Sequence, residues 1–332
     1  MGVRGRGVPT DPGEGDGESF EPGADIQDGT WNVYGVISDG FNTTLRYAGG
    51  PLVKGSPPVA AVRIAEPDGI SDMVVAGAEY GLHQRKDPWD MDSHELNLAL
   101  ARNIDSVKLA GGLFSGTASS NASQFILMTT NEGDPEINPA DYRYITMKMR
   151  LSGVTDTHFV QVFFSTDPGF DPPTAGFTSG IPVSEGEWSL VTFDLATGIH
   201  PNSPATWLGS PAVRSIRIDP TTKAGTQIEI DWITLSAPPQ PSTAYTVRWA
   251  AENTGTSIFD LSLVDTSGHQ FPLATGLPST HDMFTVNLSH LILGGYFIRL
   301  TASPGPSALS PGAIRLVEEL PDVGGLFEDS FE

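Results

Sequence analysis

The most constraining feature of this sequence is a period-two alternation of apolar and polar side chains in short segments. Within residues 142–151, Ile145, Met147, Met149 and Leu151 fall on one side of an extended chain. Successive side chains of a β-strand point to opposite faces, so this pattern predicts a strand with one face in a core. Further short segments are also predicted to be strands: 159–164, 188–195, 213–219, 227–235, 245–252, 259–266, 269–275, 281–288, 294–302 and 312–319.

Turn-forming residues separate these segments. The chain has 37 glycines and 27 prolines among 332 residues, well above the roughly 12% of an average protein. Short strands with turn signals between them are typical of β-sandwiches and barrels, so the sequence predicts an all-β protein. Residues 93–102, SHELNLALAR, are the best helical candidate. Ser93 can cap a helix, which is therefore favoured, although the leucines also alternate as in a strand.

Composition divides the chain into two folded blocks with a tail at each end. Residues 1–28, which are rich in glycine, and residues 319–332 are acidic and lack periodicity, so both are predicted to be flexible tails. A proline-rich segment near residue 240 has the composition of a linker. The predicted domains are a first sandwich at 29–237 with an irregular insertion near 48–104, a linker at 238–243 and a second sandwich at 244–318.

Charge and cysteine content exclude several function classes. The chain has 18 basic and 40 acidic residues, a formal net charge of −22, and no cysteine. Affinity for nucleic acid rests on Lys and Arg contacts to phosphates, so no nucleic acid partner is expected. Disulfides, zinc–thiolate sites and cysteine nucleophiles are impossible without cysteine. No apolar run is long enough to span a membrane and no signal peptide is visible, so the sequence leaves the compartment open.

The first block resembles a known class of β-sandwich. The segments GLFSGTASSNASQFIL (112–127), SIRIDP (215–220) and QIEIDWITL (227–235) are similar to jelly-roll modules of bacterial extracellular proteins, of the galactose-binding-like and carbohydrate-binding kinds. This resemblance implies a jelly-roll sandwich that binds glycan or takes part in assembly. Jelly rolls serve many functions, so the resemblance does not imply catalysis.

The second block resembles immunoglobulin-like and fibronectin-like modules. The segments that carry this resemblance are YTVRW (245–249) and GGYFIRLTA (294–302). The closing LFEDSFE (326–332) resembles an acidic and aromatic ending of secreted proteins of gram-negative bacteria, with Ser330 where glycine is usual. Together these resemblances imply an extracellular or cell-surface protein.

The jelly-roll resemblance also implies a structural calcium ion. In similar modules a carboxylate of the final strand and oxygens near the first strand hold the metal. The matching residue here is Asp231, with Asp219 as a second candidate and partners among Glu21, Asp25 and Asp28. Calcium takes six to eight oxygen ligands, so several carboxylates must converge. The alternative is that Asp231 faces solvent and Asp219 belongs to a turn.

Aromatic side chains in loops are the candidate sugar-binding groups, because sugar CH groups stack on ring faces. The candidates are Tyr80, Trp89, Trp207 and Phe170. Trp89 and Trp207 lie among turn-forming and polar residues, which leaves both exposure with sugar binding and plain packing open. For Phe170 and Phe177, packing within a loop is the favoured alternative. Three tryptophans within predicted strands are expected in the cores: Trp188, Trp232 and Trp249.

The leading interpretation is a secreted or surface-displayed, non-catalytic protein that binds polysaccharide or another glycan. One alternative is the structural subunit of an extracellular filament, sheath or surface layer, self-assembled through exposed strand edges. A second alternative is a polysaccharide-active enzyme. Glycosidases need paired carboxylates, but Glu185 and Glu187 sit in a turn with no other support, and no HExxH or GxSxG motif occurs.

Overall fold

A computed structural model describes the chain as two units, Met1–Val59 and Ala60–Glu332. Nearly all of its regular structure is β, which confirms the all-β prediction. The predicted tails, 1–28 and 319–332, lie outside the described residues. The structure describes the strands within 29–54, and residues 60–318 apart from gaps at 70–71, 87, 92–97, 122–124, 130–134, 168–175 and 256.

The first unit contains two antiparallel strand pairs. Strand β1 (Gly29–Trp31) pairs with β4 (Leu52–Lys54), and β2 (Tyr34–Ser38) pairs with β3 (Thr43–Tyr47). The remaining elements all belong to the second unit, where two β-sandwiches follow. Among the described residues, no helix is long and apolar enough to cross a membrane.

The first sandwich consists of two antiparallel sheets that enclose one hydrophobic core. One sheet has the order β13-β12-β16-β10-β7, with β14 also paired to β12, and the other has the order β15-β11-β17-β9-β8. Its strands are β7 (Leu98–Arg102), β8 (Ile104–Leu109), β9 (Phe114–Ala118), β10 (Phe125–Thr129), β11 (Tyr144–Ser152), β12 (His158–Ser165), β13 (Gly176–Phe177), β14 (Ile181–Val183), β15 (Ser189–Asp194), β16 (Ser215–Asp219) and β17 (Gln227–Ser236).

The prediction of a helix at 93–102 is wrong for residues 98–102, the part of the segment that the structure describes. Residues Leu98–Arg102 form strand β7, which pairs antiparallel with β10. The alternation of Leu98 and Leu100 was thus the informative signal, and pairing with a neighbouring strand outweighs the local helix propensity.

The second sandwich also has two sheets around its own core. Their orders are β21-β18-β5 and β20-β19-β22-β24-β6, with β23 paired to β22. Short helical turns lie at Gly81–Arg85 and Pro241–Thr243. The strands of this sandwich are β5 (Ala61–Glu66), β6 (Met73–Val75), β18 (Ala244–Glu252), β19 (Ile258–Asp265), β20 (Gln270–Leu277), β21 (Met283–Asn287), β22 (Gly294–Ser303), β23 (Ser307–Leu309) and β24 (Ile314–Val317).

Strands β5 and β6 correct the predicted domain boundaries. Both precede the first sandwich in the chain, yet β5 pairs with β18 and β6 pairs in parallel with β24. Ile64 and Val74 are buried in the second core. The segment that was predicted to be an irregular insertion thus supplies two strands of the second sandwich, and the first sandwich is inserted between β6 and β18. The two connecting segments meet where the Ala237 N–H donates to the Ala78 carbonyl at 2.8 Å.

A β-bulge in β17 lets one sheet serve both cores. The register pairs Lys148 with Trp232 and Met149 with Ile230, which leaves Asp231 as the extra residue. Before the bulge Ile230 lies in the first core, and after it Trp232 lies in the second. Strict alternation along 227–235 would put Trp232 on the same face as Ile230, and the bulge turns it to the opposite face. Trp249 lies in the second core as predicted.

Candidate functional site

The outward face of the sheet containing β12 and β16 carries aromatic and polar side chains together. Residues of β12 that point inward are buried in the first core: Val160, Val162 and Phe164. The alternate residues Phe159, Gln161 and Phe163 face outward. On β16, Ile216 and Ile218 lie in the same core, so Arg217 and Asp219 face outward as well. The strand register places Phe163 beside Arg217 and Gln161 beside Asp219.

Three rings follow one another on this surface. Phe163 pairs with Phe177 of β13, with ring centroids 5.4 Å apart and an interplanar angle of 31°. Phe177 in turn stacks on His200, with centroids 5.1 Å apart at 27°. Phe159, further along β12, is 50% exposed. We call the surface formed by Phe159, Gln161, Phe163, Phe177, His200, Arg217 and Asp219 the aromatic face.

Gly176 allows β13 to lie close enough to complete this surface. A Cβ atom at Gly176 would lie 2.2 Å from the Phe164 ring, closer than packed atoms can approach. Since the residue after it is Phe177, a larger side chain at position 176 would push the Phe177 ring away from Phe163. The glycine therefore fixes the spacing of the two rings.

The polar groups of the aromatic face are held in place by their own hydrogen bonds. The Arg217 guanidinium donates from Nε and Nη2 to the two carboxylate oxygens of Asp219, each at 2.6 Å, and its Cζ lies 4.4 Å from the centroid of the Phe163 ring. Burial raises the pKa of Asp219, and the bond from Arg217 opposes that rise. Gln161 donates from Nε2 to the Thr178 carbonyl at 2.6 Å. Recognition by this surface would need little rearrangement of these groups.

Three of the predicted sugar-binding aromatics are core residues, so those assignments are wrong. Tyr80 and Trp207 are fully buried and Trp89 is 8% exposed. The Tyr80 hydroxyl donates to the Pro135 carbonyl, and its ring contacts Trp89 and Tyr142. These side chains have no free ring face for a sugar. Their rings are packed in the first core, and the polar groups of Tyr80 and Trp207 donate to backbone carbonyls.

Trp207 shows how a loop tryptophan becomes buried. Its indole N–H is shared between the carbonyls of Pro139, at 3.1 Å, and Tyr142, at 2.8 Å. Its ring meets Phe164 edge-on, with centroids 5.1 Å apart. Phe170, the fourth candidate, lies outside the described residues.

The candidate calcium ligands are not brought together among the described residues. The Asp231 carboxylate lies 2.6 Å from Lys148 Nζ, and Asp219 is bound to Arg217 on the other sheet. No group of three or more His, Asp or Glu residues in the described part of the chain is arranged to hold a metal ion. Glu21, Asp25 and Asp28 lie outside that part. The calcium site stays a prediction.

Sequence reasoning missed Phe163 and Arg217. The run FVQVFF at 159–164 is predicted only to be a strand, and packing within a loop is the interpretation favoured for Phe177. The signal was present in the alternation, because Phe159, Gln161 and Phe163 occupy one face while valines occupy the other. Which face is covered depends on the neighbouring sheet, so local pattern alone could not decide it.

A cavity of about 230 Å³ lies elsewhere, between the first turn after β6 and the second sandwich. Its walls are mainly apolar and include Leu82, Leu291 and Ile292, with Glu79 among its polar groups. Glu79 accepts hydrogen bonds from the backbone N–H groups of Gly81, Leu82 and Leu235, and burial raises its pKa. Its carboxylate thus accepts hydrogen bonds from the surrounding backbone, and we assign Glu79 a structural role.

Comparisons with known proteins give distant matches only. No family model and no curated protein matches the chain. Similar solved structures include PfGH50B (13% identity, TM-score 0.31), a family 29 carbohydrate binding module (10%, 0.27) and the agarase AgWH50C (13%, 0.28). They match 42%, 53% and 42% of this chain, which spans 23%, 85% and 22% of theirs respectively. At these scores the likenesses carry no argument about function.

Proposed function

We propose that this chain is a non-catalytic carbohydrate-binding protein and that the aromatic face is its binding surface. The observation that carries the proposal is the row formed by Phe163, Phe177 and His200 beside a hydrogen-bonded Arg217–Asp219 pair. The parts of these rings that stay exposed, and the half-exposed ring of Phe159, can contact the CH groups of a pyranose, and a guanidinium or carboxylate exchanges hydrogen bonds with neighbouring hydroxyls. Both the aromatic and the charged groups are needed, because a sugar ring presents apolar CH groups as well as polar hydroxyls.

The position of these groups on paired strands also supports the proposal. Phe163, Arg217 and Asp219 lie on β12 and β16, in the middle of one sheet, and Phe177 lies on the adjoining β13. Groups on paired strands are positioned more precisely than groups on loops. The half-exposed Phe159 extends the surface along β12 beyond the three rings, which suits a polymer that extends beyond the site. Such polymers lie outside cells, so we place the protein in the extracellular space or on the cell surface.

The test is affinity electrophoresis through gels that contain soluble polysaccharides. We expect at least one polysaccharide to retard the wild-type chain, and Phe163→Ala to weaken that retardation by about tenfold in affinity, equivalent to about 1.4 kcal/mol. Met283→Ala is the matched control, because Met283 is 49% exposed on the other sandwich. Equal retardation of wild type and Phe163→Ala would reject the aromatic face as the site.

Two strand edges count against the filament alternative. The edge strand β8 has a register shift between Asp105 and Lys108, with Ser106 at φ 55° between them. The edge strand β20 carries Pro272, which has no N–H to donate to a new strand. Bulges, charges and prolines hinder strand addition. No observation on the described residues favours self-assembly or catalysis, so both stay alternatives.

The proposal includes an immunoglobulin-like topology for the second sandwich. Its support is the order β21-β18-β5 in one sheet and β20-β19-β22-β24 in the other. With β5 as the first strand, these orders correspond to E-B-A and C′-C-F-G of immunoglobulin domains. The first strand of the domain would then precede the inserted sandwich. Removal of β5 should leave the second sandwich unable to fold, which proteolysis of the purified protein would show.

A further inference from the structure

We infer that the aromatic face selects uncharged polysaccharides over anionic ones, and that Asp219 enforces this selection by neutralising Arg217. The inference rests on the proposed function, since it names the class of glycan that the same surface accepts. An arginine on a binding face ordinarily favours carboxylate or sulfate ligands, because its planar fork matches their oxygens. Here an internal carboxylate already occupies that fork.

The geometry of the pair leaves no favourable exchange with an external anion. Both hydrogen bonds between Arg217 and Asp219 are short, and the two side chains are only 15% and 11% exposed. Asp219 neutralises the charge of the guanidinium that any ligand carboxylate or sulfate would meet through its remaining N–H groups. Displacement of Asp219 from Nε and Nη2 would leave a mostly buried carboxylate without its partner, which is a costly state. The contact of Arg217 with the Phe163 ring holds the guanidinium further in place.

The other described outward-facing residues of β12, β13 and β16 add no compensating positive charge. Among the outward-facing residues described on β12, β13 and β16, Arg217 and Asp219 are the charged ones, and their charges cancel. The whole chain has a formal net charge of −22. A polyanion would therefore meet a repulsive long-range field and a locally neutral face. An uncharged polysaccharide loses nothing to either effect.

The first experiment compares matched polysaccharides in affinity electrophoresis at neutral pH and low salt. The pairs are hydroxyethyl cellulose with carboxymethyl cellulose, galactomannan with sulfated galactomannan, and dextran with dextran sulfate. We expect at least one uncharged polymer to bind the wild-type chain at least tenfold more tightly than its anionic partner. Equal or tighter binding of the anionic polymer would overturn the inference while the proposed function stands. Absence of binding to every polymer would overturn both.

The second experiment releases the positive charge of Arg217. Asp219→Asn should gain at least tenfold in affinity for the anionic polymer of the pair, and added salt should remove the gain. Asp194→Asn is the matched control, because Asp194 forms an equivalent two-pronged pair with Arg143 on the other sheet. It removes the same charge and should bring no gain. A gain in both variants, or in neither, would overturn the role of Asp219.

A double variant guards against a folding defect. Arg217→Gln together with Asp219→Asn keeps the pair uncharged and similar in size, so it should not gain affinity for the anionic polymer. Thermal melting of each variant shows whether it is folded. A gain in the double variant would overturn the inference, because no released arginine would then explain it.

Discussion

The ammonium group of Lys148 on β11 lies 2.6 Å from a carboxylate oxygen of Asp265 on β19, and also 2.6 Å from Asp231 on β17. Lys148 belongs to the first sandwich and Asp265 to the second, 117 positions further along the chain. The Lys148 side chain is 5% exposed. Burial raises the pKa of Asp265, but the hydrogen bonds from Lys148 and the His269 backbone N–H, together with the nearby positive charge, outweigh it, and the net shift is downward. This buried charge cluster joins the two sandwiches.

Replacement of Lys148 should destabilise the protein. Lys148→Met leaves the carboxylates of Asp231 and Asp265 facing each other without a cation, and loss of one partner of a buried ion pair costs about 3–5 kcal/mol. We expect a loss of about 3 kcal/mol or more in the free energy of unfolding, measured by denaturant titration. Lys223→Met is the control, because Lys223 and Asp156 form an exposed pair. That control should lose no more than about 1 kcal/mol, and a similar loss in both variants would contradict this role of Lys148.

The assignment of β5 to the second sandwich also gives a stability prediction. Ile64 is 2% exposed and lies in the same core as Trp249, its partner in the strand register. Ile64→Ala should therefore cost about 2–5 kcal/mol of unfolding free energy. Ile258→Ala removes the same atoms from a side chain that is 45% exposed and should cost less than about 1 kcal/mol. Urea titration of the two variants decides the matter, and equal losses would place Ile64 outside the core.

Acidification should destabilise the contact between the two sandwiches through His290 of the second sandwich. Burial lowers the pKa of His290 from its ordinary value of 6.5, and its ring stacks on Tyr144 with centroids 6.2 Å apart. The unfolded chain then takes up a proton at a higher pH than the folded chain does. The stability that His290 contributes is present above about pH 6.5 and is lost as the pH falls from there through the lower pKa of the folded state.

The expected result is a fall in unfolding free energy on acidification that His290→Gln makes shallower. His281→Gln, at an exposed position, should keep the wild-type profile. Arg143 holds the pKa of Asp194 below its usual range, so Asp194 contributes a separate loss at lower pH. Measurements above about pH 5 keep the two effects apart. Identical profiles for wild type and His290→Gln in that range would reject the prediction.

The calcium prediction has a direct test. If Asp231 shares a calcium ion with Glu21 or Asp25, a chelator should lower the melting temperature and added calcium should restore it. Asp231→Asn should then melt at the same temperature with and without chelator. A wild-type melting temperature that does not change with chelator would reject the site.

Local pattern was enough to predict most strands. The segments around Met147, Ile216 and Leu300 form strands close to their predicted limits, because each has a clear alternation between turn residues. The pairing partner of each strand and the face on which each side chain lies were harder to predict. Nothing in the sequence near Ile64 shows that its strand pairs with residues almost two hundred positions away. The bulge at Asp231 reverses the faces of β17 without a glycine to mark it.

The candidate site shows the same limit. Trp207 lies among polar and turn-forming residues, which made it a candidate for exposure, but its loop folds over the first core. Phe163 lies in an apolar run, which is typical of a buried strand, yet its side of the sheet faces outward. Burial of an aromatic residue depends on which sheet or loop covers it, and that is a property of tertiary packing.

The central claim is that glycan binds on the aromatic face. The most direct measurement is a crystal structure of the chain with an oligosaccharide of a polysaccharide that binds it. We expect a sugar ring against Phe159, Phe163 or Phe177, with a hydroxyl within hydrogen-bond distance of Arg217 or Asp219. An oligosaccharide bound instead in the cavity beside Glu79, with the aromatic face empty, would contradict it.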